Sequence, residues 1–216
     1  MENNIQRLRV TFTKGENLRF ISHLDLARTW ERALRRAGMP MAYSRGFHPQ
    51  PKMVFAAALP VGCTGEAELM DVLFTQPLPP RRVQAGLAPR LPDGLTVQDI
   101  TPVYDRAPAL PTLLHSADYE SLIETDLTAQ EAQRQCEALL ARDSIPRTYR
   151  GKDYDLRPLV DDLQAVKVNG QYLLARMRLA AGGRGTGRTV EVLDALGWGD
   201  QFHRCHRRRL RFATLE

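Results

Sequence analysis

Hydrophobic and polar residues alternate strictly over residues 7–14, Arg-Leu-Arg-Val-Thr-Phe-Thr-Lys, so Leu8, Val10 and Phe12 share one face. A period of two predicts a first strand. Past the turn Gly15-Glu16-Asn17 the period lengthens. Ser22 stands three residues before Asp25, a capping-box-like start, and the helix it opens runs to about Ala37, where Gly38 and Pro40 stop it. Ala27, Trp30 and Leu34 lie on one side of that helix, and Arg28, Arg32, Arg35 and Arg36 on the other. One face packs, and the opposite face is cationic.

The pattern then predicts an extended piece at 41–44, a Gly/Pro-rich loop at 46–51, strands at 53–59 and 68–74, a helix at 81–91 weakened by Gly86 and Pro89, and a strand at 95–103. Strand, helix, strands, helix, strand is the split βαβ order of ferredoxin-like domains, with an additional extended segment in the middle. Residues 104–112 hold Pro108 and Pro111 among small side chains and read as a boundary. The second half runs through the same plan. It predicts a strand at 119–124, a helix at 128–141 with Ala132, Cys136 and Leu139 on one face, a strand at 145–149 and a short helical segment near 156–163. A hairpin of 164–168 and 172–180 turns at Asn169-Gly170, followed by a helix at 189–196 and a last strand at 207–213. The expectation is an α+β protein of two tandem ferredoxin-like domains with antiparallel sheets, residues 1–104 and 116–216, joined by a linker at 105–115. The halves repeat an architecture, not residues.

A length of 216 residues suits two domains of about a hundred each. With 43% hydrophobic and 25% charged residues, the chain has the balance of a folded globular protein rather than a disordered one. No apolar run approaches the roughly 20 residues that span a bilayer, and residues 1–9 lack the apolar core of a signal peptide. Cys63, Cys136 and Cys205 are odd in number and far apart, unlike the dense pairs of a secreted disulfide scaffold. A cytoplasmic protein with no membrane partner is expected. The net charge of +5 favours an anionic partner such as RNA. Residues 203–211 alone carry five arginines, as many charges as the whole excess.

Candidate chemistry is sparse. Iron–sulfur clusters need several converging thiolates, and structural zinc needs paired cysteines or histidines at short spacing. Cys205 with His203 and His206 is the single local cluster, and the adjacent arginines repel a cation, so no metal and no cofactor is expected. The segment from Gly182 to Arg188 offers backbone donors ahead of a helix but lacks the Gly-Lys-Ser/Thr of a P-loop, and reads as a connection. His23, His48 and Lys52, with Tyr43, supply in principle the acid, base and charge stabilisation of a metal-independent endoribonuclease. The competing and favoured reading has Ser22 and Asp25 cap the helix while His48 packs a proline-rich turn.

Several of these stretches carry a resemblance: residues 20–25 (Phe-Ile-Ser-His-Leu-Asp), 32–38 (Arg-Ala-Leu-Arg-Arg-Ala-Gly) and 43–51 (Tyr-Ser-Arg-Gly-Phe-His-Pro-Gln-Pro). To them are added Leu59-Pro60-Val61-Gly62, Glu68 and Asp71, then Arg150-Gly151-Lys152 and Asp155-Leu156-Arg157-Pro158. Together they resemble the radical SAM-linked protein family, a bacterial domain of unknown function found beside, or fused to the C-terminal end of, a B12-binding-type radical SAM protein. The resemblance implies a radical SAM protein as partner. It also implies gene neighbours that include a ribonuclease of the E/G type and ribosomal proteins, hence an RNA or ribosomal component as substrate class. It implies no established activity. Where the family pattern has Asn-Pro-His-Pro, this chain has His48-Pro49-Gln50-Pro51, which weakens a catalytic role for that loop's histidine.

The binding surface expected from these readings starts with Arg19, Phe20, Ser22, His23 and Asp25 at the head of the first helix, and Arg28, Arg32, Arg35 and Arg36 along it. Tyr43, Ser44, Phe47 and Lys52 belong to the Pro-stiffened loop, with acidic Glu68 and Asp71 downstream. Lys152, Asp155 and Arg157 join from the second half, where the favoured reading is an Asp155–Arg157 pair that organises a turn and partner contact is the other. Arg207, Arg208 and Arg209 complete it on the last strand. The expected function is a non-catalytic adapter working with a radical SAM enzyme in RNA- or ribosome-related metabolism. The alternatives are a stand-alone RNA-binding protein and the metal-independent endoribonuclease using His23 and Lys52.

Overall fold

A computed structural model describes residues 5–104, 107–167 and 169–213. The chain divides into two compact units, Met1–Leu113 and Leu114–Glu216. Both mix α-helices with antiparallel sheet.

In the first unit, β1 (Gln6–Lys14) pairs with both β3 (Cys63–Phe74) and β4 (Leu95–Val103), and β2 (Met53–Phe55) pairs with β3. Every pairing is antiparallel, in the order β4-β1-β3-β2. The alternation seen in the sequence is realised on β1, where Leu8, Val10 and Phe12 are all buried. Helix α1 (His23–Arg36) starts at Ser22, whose hydroxyl accepts from the Asp25 amide at 3.2 Å and donates to the Asp25 carboxylate at 2.8 Å. Leu26, Trp30, Ala33 and Leu34 form its buried face, and Ala27 sits at the rim. Trp30 meets Phe12 edge-on at 5.0 Å between ring centroids, so helix and sheet share one core.

Some predicted boundaries move. The strand expected at 53–59 is regular only through Phe55, while β3 begins at Cys63 rather than 68. The helix expected at 81–91 is α2 (Pro80–Leu87) followed by a 3-10 turn at Ala88–Arg90, the position where Pro89 removes an amide donor. The stretch expected as a linker contains a short helix, α3 (Leu110–Leu113), whose Leu110 is buried. The Arg7 guanidinium donates to the carbonyls of Tyr104 at 3.0 Å and Ala107 at 2.6 Å, so this segment is tied to β1.

The second unit begins with β5 (Leu114–Glu124), five residues before the strand predicted at 119, and continues with α4 (Ala129–Leu140). A hairpin of β6 (Pro146–Tyr149) and β7 (Lys152–Asp155) precedes β8 (Val160–Lys167), β9 (Tyr172–Ala180), α5 (Thr189–Leu196) and β10 (Phe202–Phe212). The strands pair antiparallel in the order β10-β5-β9-β8. In the four-stranded set of each unit, the first strand therefore lies between the last and the third, β1 between β4 and β3 and β5 between β10 and β9. Thr128 and Glu131 close a reciprocal capping box on α4. Ala132, Cys136 and Leu139 of α4, Val192 and Leu193 of α5, and alternate residues Leu173 to Leu179 of β9 are buried.

The helical segment predicted near 156–163 is a correction. It is one 3-10 turn, Arg157–Leu159, and then β8. Pro158 rigidifies the turn, and from Val160 onward the backbone has a ladder partner in β9, which local pattern alone does not reveal. Strand β7 was likewise not foreseen. It exists because Arg150 and Gly151 adopt φ of +51° and +74°, the two-residue turn that matches the twist of a hairpin.

Candidate binding surface

The head of α1 is built from buried structure outward. Lys14, buried at the end of β1, donates through Nζ to the carbonyls of Arg19 at 3.2 Å and Cys63 at 3.3 Å. The Gly62 amide donates to the same Arg19 carbonyl at 2.8 Å. These bonds hold the turn carrying Phe20 against the turn carrying Val61. Phe20, Leu24 and Val61 are all exposed there, and the Arg19 guanidinium stands 4.5 Å over the Phe20 ring while pairing with Glu16. His23 is half-buried, with its ring edge-on to Phe55 at 5.0 Å between centroids. Hydrogen bonding from Ser22, outweighing desolvation, and then the nearby Arg28 hold the Asp25 carboxyl below its ordinary value.

All four arginines predicted on the outer face of α1 are exposed. Arg28 pairs with Asp25 at 3.3 Å and Arg35 with Glu31. The Tyr43 hydroxyl, followed by Glu31, raises the Arg35 guanidinium above its ordinary value, which places Tyr43 beside the helix. Among the described residues, no ion pair engages Arg32, Arg36, Arg45 or Lys52. The reason is visible in the sequence: from Arg32 to Gly65 there are five Lys or Arg and not one Asp or Glu. That acid-free tract was missed when charge was summed over the whole chain.

The loop within the tract is pinned at its neck. The Ala42 amide donates to the Leu73 carbonyl at 2.8 Å, and the Leu73 amide donates to the Lys52 carbonyl at 3.0 Å, so both arms join β3. Tyr43 and Pro51 form a bridge. The Ser44 amide donates to the Gln50 carbonyl at 2.8 Å, and the Gln50 amide to the Ser44 hydroxyl at 2.9 Å. Beyond this closure Arg45, Gly46, Phe47, His48 and Pro49 are exposed, with Phe47 at 103%. Lys52 is exposed where the loop rejoins the sheet.

Other predicted residues lie inside. Glu68 and Asp71, expected as an acidic patch, are buried at 3% and 2% exposure, and Asp71 is held by Arg9. Arg207 is buried at 1% and donates to the Tyr119 hydroxyl at 3.2 Å, whereas Arg208 and Arg209 are exposed. The register of β10 against β5 shifts between Arg207 and Arg209, so simple alternation breaks there and Arg208 and Arg209 both reach solvent while Arg207 does not.

In the second unit, Asp155 accepts from the amides of Ile145 at 2.7 Å and Arg157 at 2.9 Å, which keeps its carboxyl below its ordinary value. The Arg157 guanidinium donates to the carbonyls of Leu140 at 2.8 Å and Val160 at 2.9 Å. Both organise the backbone around the β6–β7 hairpin. Lys152 is exposed on that hairpin. Tyr149, not singled out in the sequence, stacks there with Arg188 of the Gly182–Arg188 segment, the guanidinium 3.6 Å from the ring centroid. On the sheet, Asp118 takes Arg178 and Arg211, and Glu120 takes Arg176 and Arg208, so acids of β5 offset arginines of β9 and β10. Among the described residues, no group of three or more His, Cys, Asp or Glu converges as metal ligands would, and no helix is long and apolar enough to cross a membrane.

A family model described as "Uncharacterized protein conserved in bacteria (DUF2344)" matches residues 7–191. No curated protein matches the chain. Among solved structures, a chain of a Cbf5–Nop10–Gar1 complex is similar at TM-score 0.50 and 11% identity, with 97% of this chain and 50% of that chain covered. A chain of the archaeal box H/ACA sRNP Nop10–Cbf5 complex follows at 0.49 and 12%, covering 96% and 48%. An unknown protein from Galdieria sulphuraria is similar at 0.29 and 14%, covering 97% and 99%. This chain spans about half the length of the first two, and at 11% identity the likeness to the Cbf5–Nop10–Gar1 chain is one of fold.

Proposed function

The chain belongs to the bacterial family DUF2344, and from that premise we propose that it is an accessory protein, without catalysis of its own, that works with a radical SAM enzyme and presents an RNA or ribosomal substrate to it. The observation that carries this reading is the uncompensated cationic surface of the first unit, where Arg32, Arg36, Arg45 and Lys52 are exposed and the tract from Arg32 to Gly65 holds no acid. An unneutralised patch of this kind attracts polyanions and raises their local concentration. The radical SAM partner rests on the resemblance of the 20–25, 32–38 and 43–51 segments. We read each unit as a ferredoxin-like split βαβ domain, on the strength of the shared strand order.

A stand-alone RNA-binding protein is the second reading, and the same arginines favour it. The His23 ring lies against Phe55, while His48 is on the exposed loop tip and Lys52 at its exit, so the endoribonuclease reading draws no support from the geometry.

The test is co-purification of the full chain with a B12-binding-type radical SAM protein from the same genome, followed by sizing with and without RNA. A complex that forms is the expected result. If the two proteins never co-elute while RNA still binds, the stand-alone reading replaces the adapter.

A further inference from the structure

We infer that the 43–52 loop is a base-stacking element: Phe47 receives an unpaired nucleobase of single-stranded RNA, while Arg32, Arg36, Arg45 and Lys52 take the flanking phosphates. The inference rests on the cationic-surface reading above and names what that surface holds.

Three observations carry it. First, Phe47 is fully exposed at the tip of the loop, so both faces of a large apolar ring are open to a partner. Second, the ring is presented rather than adrift. Two hydrogen bonds between Ser44 and Gln50 close the neck, both arms join β3 through Leu73, and Pro49 and Pro51 stiffen the return. A pre-ordered loop spends little entropy on binding. Third, the surroundings are cationic. Arg45 precedes the ring by two residues, Lys52 lies at the exit of the loop, and Tyr43 stands beside Arg35 on the arginine face of α1.

An apolar protein pocket would also accept Phe47, but it would need an acidic rim of its own to use the cations around the ring. A nucleic acid strand uses both parts, because its bases offer π-faces and its backbone offers regularly spaced negative charge. A base paired within a duplex has no free face for the ring, so the occupant is single-stranded or looped RNA. The aromatic ring has no hydrogen-bonding atoms, so stacking accepts every base and the loop reads exposure of a base rather than its identity.

The experiment uses the full-length protein with a labelled oligouridylate 12-mer as probe, against the same strand paired to oligoadenylate. The native tryptophans Trp30 and Trp198 are both buried, so Phe47→Trp adds the one exposed indole. Quenching of that indole by the single strand and not by the duplex is expected. Phe47→Ala should weaken single-strand binding by about tenfold or more, with an unchanged melting temperature. If Phe47→Ala binds as the wild type does and the new indole is not quenched, while Arg32→Ala/Arg36→Ala loses affinity, the base-stacking inference is overturned and the cationic-surface reading stands. If no variant binds RNA even at low salt, the RNA part of that reading fails and takes the inference with it. Loss of the radical SAM complex in Phe47→Ala with RNA affinity intact assigns the tip to a protein and also overturns the inference.

Discussion

Asp71 accepts hydrogen bonds from Nε and Nη2 of Arg9 at 2.8 and 3.1 Å, a two-point pair between residues directly opposite each other on β3 and β1. The carboxylate is only 2% exposed, and its partner is 24% exposed. Arg7 approaches the same carboxylate at 4.0 Å. A residue of the family-like pattern that resembled part of a binding surface is therefore committed to the sheet.

Removing one member of this pair leaves a carboxylate buried without its donor. Arg9→Ala should destabilise the first unit by about 3 kcal/mol, the low end for a broken buried pair because the arginine is partly wet. Arg9→Met combined with Asp71→Leu should recover most of the loss, since neither charge is then stranded. Urea unfolding of the single and double variants measures both.

Asp118 gives the second unit an acid-sensitive term. Burial pushes its carboxyl up, but hydrogen bonds and charge from Arg211 and Arg178 outweigh that and leave it below its ordinary value of 3.8. A depressed folded-state value contributes stability that is present above about pH 4 and is lost as pH falls through the folded value. Wild type should lose stability between about pH 5 and pH 3 more steeply than Asp118→Asn, measured by chemical denaturation at each pH. Parallel curves for the two proteins would remove this assignment.

Arg157, read from the sequence either as organising a turn or as touching a partner, bonds two backbone carbonyls. Arg157→Ala leaves the Leu140 and Val160 carbonyls without this donor and should cost about 1–3 kcal/mol of stability. RNA affinity measured well below the melting temperature should not change. Lost affinity with unaltered stability would return Arg157 to the binding surface.

The arginines of α1 should separate by their partners. Arg28 and Arg35 already neutralise Asp25 and Glu31, whereas among the described residues Arg32 and Arg36 enter no ion pair. Arg32→Ala with Arg36→Ala should lower the slope of log affinity against log salt by about 1.4 for single-stranded RNA, roughly 0.7 for each phosphate no longer neutralised. Arg28→Ala with Arg35→Ala should lower it less. Equal slopes in the two double variants would sink the distinction.

Much of the first unit's geometry was legible in the sequence because it rests on local periodicity. Leu8, Val10 and Phe12 share a face through the two-residue repeat of a strand, and Ser22 caps α1 because its hydroxyl reaches an amide three residues away. The outer position of Arg28, Arg32, Arg35 and Arg36 follows from the same helical period that buries Trp30 and Leu34. Where local pattern misled, a partner distant in the chain decided. Residues 160–163 became strand through pairing with β9, and Arg150-Gly151 became a hairpin turn because a two-residue connection needs positive φ.

By itself, then, the sequence determined the order of strands and helices from β1 to β4, the packed face of α1 with its opposing arginines, and the proline-stiffened loop that carries Phe47. Only the tertiary structure decided which charges meet water. Lys14, Asp71 and Arg207 look like surface residues when read along the chain, yet each is buried with a hydrogen-bonding group supplied from elsewhere in the sequence. Burying a charge is costly unless such a group stands within about 3 Å, and nothing in a one-dimensional pattern says whether it will. The Phe47 loop shows the converse. Its aromatic tip was readable in order, but its complete exposure became known only once the arms were paired to β3 and no side chain folded back to cover the ring.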